Sequence, residues 1–493
     1  MTTNRMQFNR ENLNFMTTQK TSRLLRFPLF LLWIAIVGSL IGREDPVGMV
    51  LAVVTIFTLI LFSGDVLLLG GLIFFIFVIK GTFEPIFGIL PRQAIWASDA
   101  IIVFLFLKSL RFGIGQKKFN KTPLFLPILL FLIWAVLSGF SKGTPWLTIG
   151  VALKDFFRYI LLFYAIVNLD IEERHLKSLV TLFLVLVFMQ IPLSLLQYRL
   201  YGQSDWVSGT LGRHGTGEML VLVVGAISVI MGLFLYYKSG LVYLLGILCL
   251  LILPVLGSAR AALFYIPVTM IFIIRKSLRG KSLTRTFGML LVLGILVGFV
   301  FTMPFLRKPV NSLIADTVLG LETQVNAAVI GPEVPGRLRA VGIAIEWINR
   351  ERLGPMIGYG FGSTKESYFG EYSGRFFATY SPRTNQLSST LIEMGYPGPA
   401  FYFWLIFAAF AMNIRFFGNT KDNYWRGVSF GVDGIIFMHL VGIVYADIWR
   451  MSYSSFPFWF FLGVIYSMGN KYGIFKKAVP PVNLNQPNPE RKQ

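Results

Sequence analysis

The amino-acid sequence predicts an all-α polytopic membrane protein with about 14 transmembrane helices and one large external loop containing amphipathic helices. Three observations predict this class. Hydrophobic residues make up 55% of the 493 residues and charged residues only 14%, about half the share in a soluble domain. Apolar runs long enough to cross a hydrocarbon core of about 30 Å recur along the chain. One mostly polar stretch, between Met303 and Leu387, interrupts them.

The predicted spans are the apolar runs between clusters of charge. Pro28–Gly42 is predicted to be a span and not a signal peptide, because Arg43 and two acidic residues follow it in place of a cleavage site. The spans lie near 27–42, 46–63, 65–80, 94–110, 123–140, 156–169, 177–198, 218–236, 241–256, 260–275, 286–303, 387–412, 428–446 and 454–469. The regions are therefore a tail (1–26), a bundle of about 11 spans (27–303), the loop (304–386), about three further spans (387–469) and a second tail (470–493).

Clusters of lysine and arginine predict the orientation, because such clusters favour the cytoplasmic side of a membrane. The amino terminus, residues 108–121 and residues 275–285 each carry a basic cluster, and fourteen spans place all three on one side with the tail after Gly469. Both termini are therefore predicted to be cytoplasmic and the loop 304–386 external. The formal charge of +21 is explained by orientation and anionic lipid, so we expect no nucleic-acid partner.

The basic residues on the predicted outer side are mostly arginine, 14 of 19. The orientation rule does not require external arginine, whereas recognition of phosphate or carboxylate by a planar guanidinium does. The alternative is that these arginines anchor lipid headgroups and pair with loop acids such as Glu333 and Glu351. The single cysteine, Cys249, and three scattered histidines predict neither a disulfide nor a metal site, and no cofactor is expected.

The loop contains three patterns before its end. Leu338, Val341, Ile345 and Ile348 repeat at helical spacing, which predicts an amphipathic helix over Gly336–Arg352. Gly358-Tyr-Gly-Phe-Gly362 either lets a ligand approach the backbone or forms a turn. The aromatic run is compatible with sugar stacking and, more simply, with the membrane interface. That run comprises Tyr368, Tyr372, Phe376, Phe377 and Tyr380.

The end of the loop carries the most specific pattern. Asn385, nine intervening residues, Gly395 and then Gly398 resemble the signature of the O-antigen ligase and polymerase family, which are membrane glycosyltransferases acting on lipid-diphosphate-linked glycans. Ser258-Ala-Arg260 with a leucine three residues later is similar to that family's motif at the outer start of a span. Gly336-Arg337 ahead of the predicted helix also resembles the family. A histidine usually precedes the signature asparagine in the ligases, and this chain has Thr384 there.

The resemblance implies attack by an acceptor sugar hydroxyl on the anomeric carbon of a glycan carried by a polyprenyl diphosphate. Fixed guanidinium groups would stabilise the charge on the departing diphosphate without a metal. Arg260 is the first candidate for this contact, with lipid snorkelling as its alternative, and Arg337 and Arg213 follow. Arg339 and Arg383 complete the arginines expected to bind substrate.

Thr384 cannot act as the base that a histidine would provide, although Thr384 and Asn385 can orient the acceptor by hydrogen bonds. Glu393 lies about 12 Å beyond Asn385 if the segment is helical, so bracing the helix, for example against an arginine, is as good an expectation as substrate binding. Loop carboxylates such as Asp316, Glu322, Glu366 or Glu371 are alternative bases. The absent histidine favours a polymerase of lipid-linked repeat units over a ligase that transfers glycan to lipid A core.

The expected partners are a polyprenyl-diphosphate-linked glycan donor, a glycan or lipid-linked acceptor, membrane lipids and a chain-length regulator, in a bacterial inner membrane. A transporter of anions or other solutes is the rival from another class. Acidic and histidine residues within or beside the spans could form its ion pathway. They are Asp65, Asp99, Asp433, His439 and Asp447. We see no internal repeat of the kind that many transporters have.

Overall fold

The computed structural model describes most of the chain between residues 64 and 475. The described residues are 64–79, 97–115, 120, 122–204, 206–212, 215–238, 240–257, 259, 261–278, 337–365, 373–376 and 385–475, with single positions between 287 and 311. Of these residues 79% are helical and none is in a strand, which confirms the all-α class. The chain divides into two compact units, Met1–Leu68 and Leu69–Gln493. Only the start of the first helix is described in the first unit.

The described helices are numbered in chain order. The amino-terminal ones are α1 (Asp65–Phe74, continued by a π-helical turn Phe75–Ile79), α2 (Ala97–Gly115), α3 (Phe125–Ser141), α4 (Trp146–Asn168), α5 (Glu173–Phe188), α6 (Gln190–Tyr201), α7 (Thr216–Tyr236), α8 (Leu241–Leu256) and α9 (Ala262–Leu278). The later ones are α10 (Arg337–Arg350), α11 (Gly354–Ile357), α12 (Gln386–Met394), α13 (Pro397–Asn419), α14 (Asn423–Gly442) and α15 (Ser452–Lys471).

Three helical segments in the described part are long and apolar enough to cross a membrane. They are Glu173–Tyr201, which comprises α5 and α6, then Thr216–Tyr236 and Pro397–Asn419. Shorter apolar helices occur at Asp65–Ile79, Phe125–Ser141, Leu241–Leu256 and Phe264–Arg275. Membrane association is thus supported, whereas the count of fourteen spans stays a prediction. The predicted spans 27–42 and 46–63 lie outside the described residues, and 286–303 is described only at single positions.

The predicted span 387–412 is wrong as a single helix, because it is two helices joined at Gly395. The Asn385 side chain caps α12 by accepting a hydrogen bond from the Ser388 amide at 2.9 Å. Gly395 ends α12 with φ +67°, and a Cβ there would meet Pro355 O at 2.5 Å, so only glycine fits. Pro397 then begins α13. The short helix α12 is almost wholly buried.

The helix ends contact one another in the two groups that the predicted topology requires. At the predicted cytoplasmic end, Lys177 lies 2.7 Å from Glu173 and 3.6 Å from Asp422, and Lys471 lies 3.3 Å from Asp170. At the predicted outer end, the Ser138 hydroxyl donates to the Ile357 carbonyl at 2.7 Å. These contacts therefore join helix ends that the predicted topology places on the same side, while the topology itself stays a prediction. Which end faces the cytosol remains a prediction.

Helix α7 and helix α14 pack at backbone distance in the centre of the second unit. A Cβ on Gly232 would lie 2.1 Å from Gly427 O, and one on Gly431 would lie 2.3 Å from Val229 Cα. Gly427 and Gly431 are four residues apart on α14, the small-residue spacing that lets membrane helices approach closely. Almost all of α7 is buried by its neighbours.

The predicted amphipathic helix is present as α10, but its buried face differs from the prediction. Leu338 and Ile345 are exposed at 62% and 37%, while Ala340, Ala344 and Ile348 face the protein. Ala344 and Ile348 pack against Leu391 and Ile392 of α12. The face with alanines is buried because small side chains allow the close packing of two helices, which the pattern of large apolar residues did not reveal.

Candidate functional site

The structure describes four of the eight predicted site residues. Arg337, Arg339, Asn385 and Glu393 are described, whereas Arg213, Arg260, Arg383 and Thr384 lie outside the described residues. Most of the aromatic run also lies outside them, and so do the proposed bases Glu366 and Glu371. Arg339 is exposed on α10.

Arg337 is the first residue of α10 and stacks on an aromatic pair. Its guanidinium carbon lies 3.9 Å from the centre of the Tyr445 ring, within the range of a cation–π interaction. Tyr445 in turn meets the Tyr265 ring edge-to-face at 5.1 Å. Arg337 is only partly buried, and among the described residues no carboxylate pairs with it. A positive group fixed in this way is suited to hold an anion.

The described residues beside Arg213 and Arg260 in the sequence pack around the same tyrosine. A Cβ on Gly217, at the start of α7, would lie 3.6 Å from the Tyr445 hydroxyl oxygen. Ala259 and Ala261 pack in one cluster with Tyr265 and Tyr445. The first turn of α7, the α8–α9 turn and the start of α10 therefore meet at Tyr445, although the sequence separates them by up to about 120 residues.

Asn385 is fully buried, and its amide group is used within the protein. Its Oδ1 caps α12, and its Nδ2 donates to the Arg337 carbonyl oxygen at 2.7 Å. The residue is 0% exposed. In this structure Asn385 therefore links the start of α10 to the start of α12, and both polar atoms of its side chain have partners within the protein.

Glu393 is also 0% exposed, and it is paired with an arginine. Its Oε2 lies 2.5 Å from Arg450 Nη2, while its Oε1 accepts hydrogen bonds from the Thr364 hydroxyl at 2.6 Å and amide at 3.2 Å. Arg450 continues to Asp447 Oδ2 at 3.1 Å. Of the two expectations for Glu393, helix bracing is the one that this geometry matches.

These residues belong to a larger network of four acidic and four basic side chains. The members are Asp99 of α2, Lys154, Asp155 and Arg158 of α4, Lys365, Glu393 of α12, Asp447 and Arg450. Lys154 lies 3.2 Å from both Asp99 and Asp155, and Lys365 lies 2.8 Å from Asp155. Arg158 Nη2 donates to the Arg450 carbonyl at 3.4 Å, which joins the two halves. Apart from Lys154, which is 42% exposed, these charged side chains are mostly buried, and a buried charge is costly unless it is paired, as these are.

The glycine segment, Gly358–Gly362, leads to Thr364 and Lys365, which contact Glu393 and Asp155 of the network. Gly358, Gly360 and Gly362 all have positive φ, between 62° and 100°. A Cβ on Gly358 would lie 2.4 Å from Ile392 O and one on Gly360 2.5 Å from the Thr144 hydroxyl. The glycines thus allow close packing against protein and form a turn that leads to Thr364 and Lys365, so the turn interpretation is supported.

Asp447 lies in the connection between α14 and α15, where burial changes the pKa of its carboxyl group. Burial raises the pKa of the Asp447 carboxyl above its ordinary value, although the Arg450 cation beside it acts in the opposite direction. The Glu393 carboxylate adds to the rise.

The acids and the histidine of the transporter alternative have different surroundings among the described residues. Asp99 and Asp447 belong to the network. Asp433 is 1% exposed in the middle of α14, where Asn413 Nδ2 donates to it at 2.8 Å. His439 is buried, with Nδ1 2.9 Å from the Ile435 carbonyl oxygen. Asp65 is in the first turn of α1.

Sequence reasoning did not identify Arg450 or the charged face of α4. A signal was available, because Arg158 lies inside the predicted apolar span 156–169 and a charge there needs a partner. Nothing in the sequence pairs Arg450 with Glu393, 57 residues away. Within the described ranges, no group of His, Cys, Asp and Glu is arranged to hold a metal ion.

Comparison with known proteins adds no family to this geometry. No protein-family model matches the chain, and no curated protein is significantly similar to it.

Proposed function

We propose that this protein is a membrane glycosyltransferase that polymerises polyprenyl-diphosphate-linked repeat units into a surface polysaccharide at the outer face of a bacterial inner membrane. In this proposal the chain has about fourteen spans with both termini in the cytoplasm. The external loop then supplies Arg337, and the adjacent span ends supply Arg213 and Arg260.

The main support for the proposal is the position of Arg337, whose guanidinium group stacks on the Tyr445 ring. The guanidinium is held 3.9 Å over the ring and, in the described part of the chain, no carboxylate neutralises it. The described neighbours of Arg213 and Arg260 pack around the same tyrosine. Several guanidinium groups at one place would stabilise a departing diphosphate more than they stabilise the bound donor.

The first test is glycan transfer by the purified protein in liposomes. Wild-type protein supplied with a polyprenyl-diphosphate-linked repeat unit should produce longer lipid-linked glycans without an ion gradient. Arg337→Lys keeps the charge but loses the planar fork, so the rate should fall by a factor on the order of 10². Arg350→Lys is the matched control on the same helix, because Arg350 is 65% exposed and pairs only with Glu346 among the described residues. An Arg337→Lys rate close to wild type would refute guanidinium binding of the diphosphate.

A ligase is the alternative within the same chemistry. Thr384 in place of the ligase histidine supports the polymerase. The lipid-linked glycans of cells that lack the gene separate the two: single repeats accumulate without a polymerase, whereas long lipid-linked polymer and bare lipid A core accumulate without a ligase.

Transport is the second candidate function, and Asp433 favours it. This carboxyl is 1% exposed and lies on α14 beside Asn413. Carboxyl groups inside a helix bundle often handle ions or protons. Solute flux in the same liposomes with no glycan product would support transport and contradict the transferase.

A further inference from the structure

The carboxylates of the buried network are not equivalent. Both oxygens of Asp99, Asp155 and Glu393 have partners within the network or on Thr364. Asp447 differs, because its Oδ2 is held by Arg450 while no described residue donates a hydrogen bond to its Oδ1. A buried oxygen that lacks a donor costs free energy unless something outside the protein supplies one.

The surroundings of Asp447 include further unused hydrogen-bonding groups. Gln386 Oε1 accepts a hydrogen bond from the Trp449 amide at 3.2 Å, so Gln386 lies against this segment. Gln386 Nε2 and Trp449 Nε1 are buried donors that find no acceptor among the residues described. In the described part of the chain, two donors without an acceptor and one acceptor without a donor therefore lie on the segment 447–449 or on Gln386, which contacts it. A ligand with hydroxyl groups, which both donate and accept, matches such a set.

The side chain of Asp447 is partly exposed, although its Oδ1 is buried, and it is close in sequence to the proposed diphosphate site. It is 16% exposed, compared with 0% for Glu393. It is two residues from Tyr445, on which Arg337 stacks, in the connection between α14 and α15. Both groups therefore lie at the predicted outer end of the bundle.

We infer that Asp447 is the general base of the proposed transfer reaction and that its Oδ1 receives the hydroxyl proton of the acceptor glycan. This inference depends on the proposed function. The acceptor oxygen forms a bond to the anomeric carbon of the donor, and the bond from that carbon to the diphosphate breaks. The electron pair leaves with the diphosphate, and the acceptor proton moves to Asp447.

The charged and titratable groups around Asp447 suit this role. Arg450 holds the Asp447 carboxylate through Oδ2. The Glu393 carboxylate of α12 raises the pKa of Asp447, and the Lys365 cation, which follows the glycine segment, lowers it. Tyr402 of α13 is fully buried and interacts electrostatically with Asp447. Because burial raises the pKa of Asp447, its anion is a stronger base than an ordinary aspartate.

The experiment measures glycan transfer in liposomes against pH for wild type, Asp447→Asn and Asp447→Glu. A base must be deprotonated, so the wild-type rate should rise with pH through the pKa of Asp447 and then level off. Asp447→Asn should lower the rate by a factor on the order of 10² to 10⁴ and remove the rise. Asp447→Glu should restore part of the rate with a displaced rise. Glu346→Gln, which neutralises an exposed carboxyl of α10, is the matched control and should behave as wild type.

Binding separates a base from a structural role. Affinity for a short polyprenyl diphosphate, measured on the purified protein, should be within about twofold of wild type in Asp447→Asn if the residue acts on the acceptor proton. A large loss of affinity would overturn the inference, and so would an unchanged rate. If Asp447→Asn does not fold, the pH profiles of the other two proteins decide. The inference is overturned if the wild-type rate does not rise with pH, or if the Asp447→Glu profile coincides with that of wild type. Inactive wild-type protein would instead count against the proposed transferase.

Discussion

At the scale of single residues, the buried charges are the feature with the largest consequences. Glu393 is 0% exposed and the Arg450 side chain is 7% exposed. Because water cannot stabilise these charges, each is stabilised by the opposite charge of the other. The sequence identified Glu393 as a candidate for either substrate binding or bracing. Its partner decided between them, because both carboxylate oxygens are occupied by Arg450 and Thr364.

We predict that Glu393→Ala lowers the free energy of unfolding by about 3–5 kcal/mol, because it leaves Arg450 buried without its main partner. Glu346→Ala removes a pair that is 61% and 65% exposed, and we expect a change of no more than about 0.5 kcal/mol. Unfolding of both variants in detergent micelles measures the difference. Equal effects would contradict the assignment of a buried pair.

The motif predicted that Asn385 contacts the substrate, whereas in the structure its side chain contacts other residues of the protein. Its amide caps α12 and holds the carbonyl oxygen of Arg337. Asn385→Ala should lower stability by about 1–2 kcal/mol through loss of the cap.

Asn385→Ser tests the two contacts separately. A serine hydroxyl can cap α12 but is too short to reach Arg337. Stability should therefore recover relative to Asn385→Ala, while glycan transfer should be lower than in wild type in both variants. Transfer that recovers together with stability would show that the link to Arg337 has no role. Thermal unfolding and the liposome assay provide the two readouts.

At the scale of helices, close packing depends on glycine. Gly431 on α14 faces the backbone of α7 with no room for a side chain, since a Cβ would lie 2.3 Å from Val229 Cα. The apolar periodicity of α14 indicated a span, but it did not indicate which helix it contacts. Likewise, the split of α12 from α13 follows from the approach of Pro355 to Gly395.

We predict that Gly431→Ala destabilises the protein by about 1–3 kcal/mol, because the two helices must separate to admit the methyl group. Gly150→Ala on α4 is the control, since nothing lies within 4 Å of a Cβ there. Alanine favours a helix over glycine, so that variant should be neutral or up to about 1 kcal/mol more stable. A neutral Gly431→Ala would show that α7 and α14 are not in backbone contact.

At the scale of the whole molecule, the arrangement of the helix ends bears on topology. Contacts at one end join α5, α14 and α15, and contacts at the other end join α3, α11 and α12. The predicted alternation of spans places the members of each group on one side of the membrane and the network at the outer end, and this alternation stays a prediction.

Labelling with a membrane-impermeant maleimide tests the orientation. Cys249 is the only cysteine, so a Cys249→Ser background offers no native thiol. In intact cells with a permeable outer membrane, Glu322→Cys in the predicted external loop should react. Asn485→Cys in the tail should react only after the inner membrane is opened. The reverse pattern would invert the topology and exclude an external Arg337 site.

The sequence by itself determined the class of the protein, because hydropathy and charge clusters act over short stretches of chain. It also located the amphipathic helix, since the spacing of apolar residues is local. The tertiary structure alone decided that Arg337 stacks on Tyr445 and that Arg450 pairs with Glu393. It also decided that no described residue donates a hydrogen bond to Asp447 Oδ1. These contacts join residues far apart in the chain, and the energy of a buried charge depends on partners that no local pattern specifies.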